Sequence, residues 1–137
     1  MVDKIFLSEI KKIVGKKGLI SGSDVAERKA GVWIENPIKA KVIVRPNNTM
    51  ELSHVLSLCN KLQQPVVPHG GLTGLVESAI TKEDEVIISS ERMVEIEEVD
   101  PIGRTLTAQS GVKLQTIQEK AEDKGMFFPL DLGARGS

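Results

Sequence analysis

Aromatic residues are scarce in this sequence of 137 residues, which has one tryptophan, three phenylalanines and no tyrosine. Single-stranded nucleic acids bind proteins by stacking on aromatic side chains, and a formal net charge of −1 provides no basic surface for a phosphate backbone. The composition therefore argues against a nucleic-acid partner. It also predicts that the hydrophobic core is aliphatic.

Long apolar runs and cysteines are scarce as well. The start of the chain, Met1–Phe6, lacks the basic and apolar regions of a signal peptide, and no apolar run approaches the length of about 20 residues that spans a bilayer. The single cysteine, Cys59, allows no internal disulfide and is typical of a reducing compartment. These absences predict a cytoplasmic protein without a transmembrane segment.

Catalytic and metal-binding constellations are also missing. His54 precedes Cys59 by five residues in a stretch with helical periodicity, so the two side chains point to different faces of a helix. We expect a surface imidazole and a small buried thiol there, not a metal site. No Ser-His-Asp set or paired-carboxylate site can be assembled from the other residues, so no catalytic residue is assigned.

Residues 1–40 have the pattern of an N-terminal helical segment. Apolar residues at helical spacing predict an amphipathic helix over residues 3–14. Ser23 can cap a second, short helix that runs to about Lys29. The periodicity is lost from residue 31 to residue 40, which indicates a loop.

Residues 41–90 predict a small parallel βαβ sheet. Thr49 can cap an amphipathic helix over residues 49–63, which lies between two β-branched runs. A strand, a helix and a strand in this order form a right-handed unit with parallel strands. The predicted strands are residues 42–45, 65–68 and 86–89.

The character of the chain changes in residues 91–137, where apolar and polar residues alternate. This pattern predicts an antiparallel hairpin with strands over 94–100 and 104–109. A helix over 113–124 follows and stops at Gly125. The predicted fold class is therefore α/β, a small parallel sheet flanked by helices and followed by the first hairpin and helix of a second, antiparallel unit.

The stretch "PVVPHGGLTGLVESA" places Gly70, Gly71 and Gly74 directly after a predicted parallel strand, where α/β sheets bind ligands. The glycine spacing matches neither the dinucleotide fingerprint nor the phosphate-binding P-loop. Adjacent backbone N–H groups from His69 to Leu75 can still form a concave nest for an anion, with a hydroxyl donor from Thr73. A phosphate site and a purely structural turn both remain open.

His69 has two interpretations. It can be a flavin attachment point or a general base, or it can be an ordinary loop residue. No Asp or Glu partner is visible in the sequence, and this favours the loop residue.

Four motifs together resemble a known family. The stretches "VIVRPNNTMELSHVLSLCNKLQQPVVPHGGLTGL", "VIISSERMVEI", "VDPIGRTLTAQSGVKL" and "GMFFPLDLGARGS" follow one another between Lys41 and Ser137. They are similar to the start of FAD-linked oxidases of the vanillyl-alcohol-oxidase (PCMH) type, and most similar to the D-2-hydroxyglutarate, D-lactate and glycolate dehydrogenase branch.

The resemblance implies that FAD lies between a parallel subdomain, residues 41–90, and a second, antiparallel FAD-binding subdomain that begins at residue 91 and is truncated at residue 137. It implies that the loop Pro68–Leu75 wraps the FAD pyrophosphate with its backbone N–H groups. The residues that would bind the cofactor are Pro68, His69, Gly70, Gly71, Leu72, Thr73, Gly74, Leu75, Ser89, Met93, Pro129, Leu132, Gly133, Gly136 and Ser137.

Two adjacent positions depart from the family. Glu77 and Ser78 stand where the family usually has a second glycine pair. A carboxylate at residue 77 would repel a pyrophosphate by about 1–2 kcal/mol if it were partly buried.

The resemblance implies a fragment of a flavin-dependent dehydrogenase whose FAD accepts a hydride from a small 2-hydroxy acid. We expect the fragment to be inactive, to hold FAD weakly or not at all, and to self-associate through its truncated face. The alternative is a stand-alone, truncated relative that acts as a non-catalytic binding or interaction module.

Overall fold

The computed structural model describes residues 4–31 and 38–137. Most of the loop predicted for residues 31–40 therefore lies outside the described residues. In chain order, the elements are α1 (Lys4–Val14), a 3-10 turn (Lys16–Gly18), β1 (Leu19–Ser21), α2 (Ser23–Ala26), β2 (Val42–Val44), α3 (Thr49–Lys61), β3 (Val66–His69), β4 (Val86–Ser89), β5 (Ile96–Asp100), β6 (Thr105–Ala108) and α4 (Leu114–Glu122).

β4 lies in the middle of a four-stranded sheet whose order is β1-β2-β4-β3. It pairs in parallel with β2 on one side and with β3 on the other, and Ile87 lies opposite both Ile43 and Val67. The predicted parallel sheet is therefore confirmed. The two strands that flank α3 are not neighbours, because β4 is inserted between them.

β1 extends this sheet and was not predicted. It pairs with β2 in antiparallel fashion, with Leu19 opposite Val44. Three residues between Gly18 and Gly22 are too few to produce a recognisable strand pattern. The segment 1–40 was expected to be helical, and here it also contributes an edge strand to the sheet.

The sheet is buried on both faces because successive side chains of a strand point to opposite sides. On one face, alternate residues of β2 and β4 pack against α1 and α3 through Phe6, Ile10 and Val55. On the other face, Ile43 and Ile87 pack against Val25, Ala30, Ile38 and Ala40. Near-continuous burial of β2 and β4 is typical of parallel sheets.

Two helix starts differ from the prediction. Asn48, not Thr49, caps α3, because Asn48 is extended (φ −158°, ψ 170°) and its side-chain oxygen accepts a hydrogen bond of 2.9 Å from the backbone N–H of Glu51. Gly22, not Ser23, precedes α2. No side-chain cap forms there, and α2 ends at Ala26 and does not reach Lys29.

The second unit contains the predicted hairpin and helix. β5 and β6 form a separate two-stranded antiparallel sheet. Gly125 follows α4 with a φ of 68°, a left-handed conformation in which glycine is favoured, so the predicted helix stop is confirmed. His54 is exposed and Cys59 is a buried free thiol, as expected. In the described ranges, none of the helices is both long and apolar enough to cross a bilayer.

Gly111 joins the two units by close backbone packing. Its N–H donates a hydrogen bond of 2.9 Å to the carbonyl oxygen of Met93. A Cβ atom at this position would overlap the Ser90 carbonyl oxygen and would lie 2.8 Å from the Met93 carbonyl oxygen. Because both neighbours are backbone atoms, a side chain at residue 111 requires the junction to move.

We expect Gly111→Ala to lower the free energy of unfolding by about 2–4 kcal/mol, since an overpacked backbone contact cannot be relieved by a rotamer change. The matched control is Gly133→Ala, because a Cβ at Gly133 would meet no atom within 4 Å. Chemical denaturation of both variants measures the difference. Equal losses in the two variants would contradict this account of the junction.

Candidate functional site

The candidate site begins where β3 ends, at the carboxyl edge of the parallel sheet. Residues 70–79 form a loop around a cavity of about 180 Å³. The cavity is lined by Ala30, Pro68, Gly70, Gly71, Leu72, Thr73, Gly74, Glu77, Ser78 and Ala79. Most of the predicted pyrophosphate loop therefore faces one cavity, while Leu75 is an exposed loop residue outside this lining.

Neither the backbone angles of the loop nor, at Gly70 and Gly74, its packing explains why glycines stand there. Left-handed φ values occur at Leu72 (58°) and Glu77 (59°), not at the loop glycines. A Cβ at Gly70 or Gly74 would meet no atom within 4 Å. At these two positions the bare backbone faces open space, which is what the close approach of a ligand requires.

The loop also presents free hydrogen-bond donors. Within residues 4–31 and 38–137, the backbone N–H groups of residues 71–76 donate to no acceptor. Unpaired N–H groups along a curved loop attract an anion without any charged side chain. Of the two interpretations left open by the sequence, these donors favour the anion site.

His69 holds the two ends of the loop together. It is 5% exposed, and its Nε2 lies 2.9 Å from the Ala79 carbonyl oxygen. A carbonyl oxygen can only accept, so Nε2 carries the proton. Desolvation by burial lowers the pKa of His69, and the hydrogen bond to Ala79 opposes this effect in part. These contacts support the loop interpretation of His69.

Ser89 and Met93, which the resemblance assigns to the cofactor site, lie beside the loop. Ser89 is opposite His69 in the parallel ladder, and Met93 is 4% exposed in the turn that follows β4. Together with Pro68 and Gly70 they face a second cavity of about 490 Å³. The other lining residues are Pro46, Leu52, Leu56, Val66, His69, Ile88, Ser90 and Ser110. The chain at Pro68 and Gly70 thus separates a small polar cavity from a larger, mainly apolar one.

The C-terminal stretch approaches the loop only at its end. A Cβ at Gly71 would lie 3.2 Å from the Ser137 carbonyl carbon, so Ser137 packs directly on the loop. Lys113 Nζ donates a hydrogen bond of 2.9 Å to the Gly136 carbonyl oxygen. The other predicted residues of this stretch, Pro129, Leu132 and Gly133, are exposed and line neither cavity of the loop. Pro129 instead lines a depression next to α4.

Three charged residues near the site were missed by the sequence analysis. The Glu91 carboxylate accepts from Arg28 at 2.7 and 3.2 Å and from Arg45 at 2.7 Å. Hydrogen bonding to Arg28 is the main cause that lowers the pKa of Glu91. Arg28 and Glu91 are 63 residues apart, so no local spacing could have indicated this pair.

The described residues hold no group of three or more His, Cys, Asp or Glu side chains that could bind a metal ion. The site therefore consists of backbone donors, an apolar cavity and a nearby ion-pair cluster. This combination suits a ligand that carries both an anionic and an apolar part.

Comparisons with known proteins agree with this geometry. A family model described as "FAD binding domain" matches residues 40–137. The mitochondrial D-2-hydroxyglutarate dehydrogenase of Arabidopsis thaliana is 33% identical over 137 residues, which cover 99% of this chain and 24% of that protein. The chain thus spans about a quarter of the length of the curated relatives it matches. That relative is named as mitochondrial, so the expected cytoplasmic location is not confirmed.

Two solved structures share the fold. Alkyldihydroxyacetonephosphate synthase superposes with a TM-score of 0.85 at 18% identity, over 98% of this chain and 27% of that chain. p-Cresol methylhydroxylase with substrate bound superposes with a TM-score of 0.71 at 14% identity, over 91% of this chain and 26% of that chain. At these identities the likeness establishes the α/β fold of the chain.

The lowered pKa of His69 predicts a pH-dependent stability. In the unfolded chain His69 has its ordinary pKa of 6.5, whereas the folded protein disfavours the charged form. As the pH falls below 6.5, the unfolded state takes up a proton that the folded state resists, so stability is lost until the pH reaches the folded pKa. We expect His69→Gln, which keeps an N–H donor for Ala79, to lose less stability than wild type between pH 7 and pH 5.

Urea unfolding at both pH values measures this effect, and His54→Gln is the control because His54 is exposed. If His69→Gln shows the same pH slope as wild type, His69 does not titrate as described.

Proposed function

The chain belongs to the family of FAD-binding domains, and from this premise we propose that it is the FAD-binding portion of a flavin-dependent D-2-hydroxy-acid dehydrogenase. The observation that carries the proposal is the loop after β3, which has unpaired backbone N–H groups and open space beside Gly70 and Gly74. In the whole protein, FAD supplies the hydride acceptor for oxidation of the substrate hydroxyl carbon. The residues of this chain bind and orient the cofactor.

We assign the pyrophosphate to the loop Pro68–Leu75. The N–H groups of residues 71–76 stabilise its negative charge, and the Thr73 hydroxyl adds a donor. The side chain of His69 already donates a hydrogen bond to the Ala79 carbonyl oxygen, and it supports the anion site by holding the two ends of the loop together. The small volume of about 180 Å³ suits a phosphate group rather than a ring system.

We assign an aromatic ring system of FAD to the larger cavity beside Ser89 and Met93. Its volume of about 490 Å³ and its mainly apolar lining are typical of ring-binding pockets. Pro68 and Gly70 line both cavities, so one molecule can reach both. The stretch that includes Pro129, Leu132, Gly133, Gly136 and Ser137 is proposed to run along the cofactor, with Ser137 next to Gly71.

We place the parent protein on the D-2-hydroxyglutarate side of the branch that also includes D-lactate and glycolate dehydrogenases. The motif "PLDLGARGS" and the 33% identity to a D-2-hydroxyglutarate dehydrogenase support this choice. The domain division follows the proposal, with an N-terminal segment over 1–40, the parallel FAD-binding unit over 41–90 and the start of the second unit over 91–137.

A second candidate function rests on Glu77. Glu77 belongs to the lining of the small cavity, where a carboxylate that faces the ligand would repel an anion. A non-catalytic binding or interaction module that has lost strong cofactor binding would tolerate this residue. The FAD affinity of the longest natural form of the protein separates the two functions, because only the dehydrogenase interpretation predicts tight binding there.

We expect this chain by itself to hold FAD weakly and to show no dehydrogenase activity. A cofactor that lies between two lobes loses many contacts when one lobe is missing, whereas the entropy cost of binding changes little. Titration of FAD followed by flavin fluorescence, and dye reduction with D-lactate or D-2-hydroxyglutarate, measure both properties. If the purified chain binds FAD stoichiometrically and reduces the dye, the expectation that it is inactive is wrong. If neither the chain nor its longest natural form binds FAD, the assignment of the site is wrong.

The second unit also predicts self-association. β5 and β6 form a sheet of two strands, and Ile102 (96% exposed) and Phe127 (80% exposed) lie uncovered near it. Unpaired strand edges and exposed apolar side chains favour association with another chain. Light scattering should therefore detect dimers or larger species, and Phe127→Ser should shift the chain towards monomer. A wild-type monomer at high concentration would refute this.

Removal of the charge at residue 77 should strengthen FAD binding. We expect Glu77→Gln to lower the Kd for FAD about fivefold, because about 1 kcal/mol of repulsion disappears. Glu77→Gly with Ser78→Gly should bind at least as tightly, since Glu77 already has a φ of 59°, which suits glycine. Glu95→Gln on the hairpin is the control. Unchanged affinity of both loop variants would mean that the carboxylate does not face the cofactor.

A further inference from the structure

The segment that precedes residue 40 lies outside the matched family region, yet it contacts the candidate site. Its Arg28 reaches Glu91, a residue of the turn that carries Ser89 and Met93. Nothing in the proposed binding of FAD uses Arg28, and its side chain lines neither of the two cavities assigned to the cofactor. Arg28 therefore contacts the turn but not the cavities.

The Arg28 contact is a bidentate one. Nη1 donates to Glu91 Oε2 at 2.7 Å and Nη2 donates to Oε1 at 3.2 Å, so the planar guanidinium matches the carboxylate. Arg45 donates to the same carboxylate at 2.7 Å, and its other amino group donates to the Lys17 carbonyl oxygen. The side chains of Arg28, Arg45 and Glu91 are 41%, 22% and 33% exposed. A partly buried network of this kind resists screening better than an isolated surface pair.

The backbone of the same turn is fixed from the other side. The Ser90 N–H donates to the His69 carbonyl oxygen at 3.1 Å, and the Met93 N–H donates to the Ser90 carbonyl oxygen at 2.8 Å. The Glu91 N–H donates to Ser89 Oγ at 3.3 Å. The turn therefore directs Ser89 and Met93 towards the apolar cavity while Glu91 is held by the two arginines.

We propose that Arg28 is a positioning residue for the cofactor site, because it anchors Glu91 and thereby sets the shape of the turn over residues 89–93. This role rests on the proposed function in that the turn lines the FAD pocket. The N-terminal segment then contributes to cofactor affinity without touching the cofactor. Arg45 supports the carboxylate from the parallel unit, and Arg28 ties the turn to the segment outside that unit.

The lowered pKa of Glu91 and the raised pKa of Arg28 are consistent with this network, since each charged form is stabilised by hydrogen bonding to the other. A pKa below the ordinary value of 4.5 keeps the carboxylate ionised at neutral pH. The anchor is therefore present throughout the neutral range in which a dehydrogenase would be assayed.

The test compares Arg28→Met, which keeps an unbranched apolar stem but removes the guanidinium, with Arg28→Lys, which restores one charged donor. The control is Lys12→Met, which removes the exposed ion pair between Lys12 and Glu9 on α1. The first readout is amide hydrogen exchange at Ser90 and Met93 in the chain without cofactor, and the second is the Kd for FAD.

We expect Arg28→Met to speed exchange at Ser90 and Met93 about fivefold and to raise the Kd for FAD by a similar factor. Arg28→Lys should recover part of both effects, and Lys12→Met should show neither. In a Glu91→Gln background, Arg28→Met should add little, because the partner charge is already gone.

Unchanged exchange at both amides would overturn the proposal, and so would a uniform increase over the whole sheet, which would indicate a loss of global stability only. No FAD binding by either the wild-type chain or its longest natural form would overturn the proposed function, whereas the exchange data decide the anchor without cofactor. Normal FAD affinity alongside faster exchange would show that the turn is anchored but not used for the cofactor, and this too would overturn the proposal.

Discussion

The parallel pairing of β4 with a strand on each side is the constraint on which the rest of the structure depends. Because β2, β3 and β4 run in the same direction, their carboxyl ends meet at one edge, and His69 lies directly opposite Ser89. The glycine loop leaves the sheet from this edge, and so does the turn that carries Met93. Two chain segments separated by about 20 residues therefore form one site, although neither would form it alone.

The backbone hydrogen-bond donors of the site and its charged side chains lie in different places. The loop proposed to bind the anion offers backbone N–H groups, and burial disfavours the charged form of His69 beside it. The formal charges lie behind the turn, where Glu91 is shared by two arginines. Glu77 is the exception, since an acidic residue lines the small cavity and its backbone has a left-handed conformation that a glycine would adopt without strain.

The N-terminal segment is integrated into the sheet rather than appended to it. β1 covers the outer edge of β2, and the Arg45 N–H donates a hydrogen bond of 2.7 Å to the Gly18 carbonyl oxygen. β1 is then the outer strand on this side of the sheet. The same segment supplies Phe6 and Ile10 to the core and Arg28 to the turn. Part of the core, one edge strand and the arginine contact with the turn after β4 thus come from residues that precede the matched family region.

Features that depend on short-range periodicity could be predicted from the sequence: the parallel strands, α1, α3 and α4, the hairpin, the stop at Gly125 and the position of the glycine loop after a strand. Local pattern specifies these because side chains repeat every 2 or 3.6 residues. Other features became visible only in the folded chain: β4 lies between β2 and β3, β1 joins the sheet, Gly111 packs on the Ser90 carbonyl oxygen, and Arg28 meets Glu91. These features join residues from about 20 to more than 60 positions apart, and such contacts depend on how whole elements pack, which no local spacing encodes.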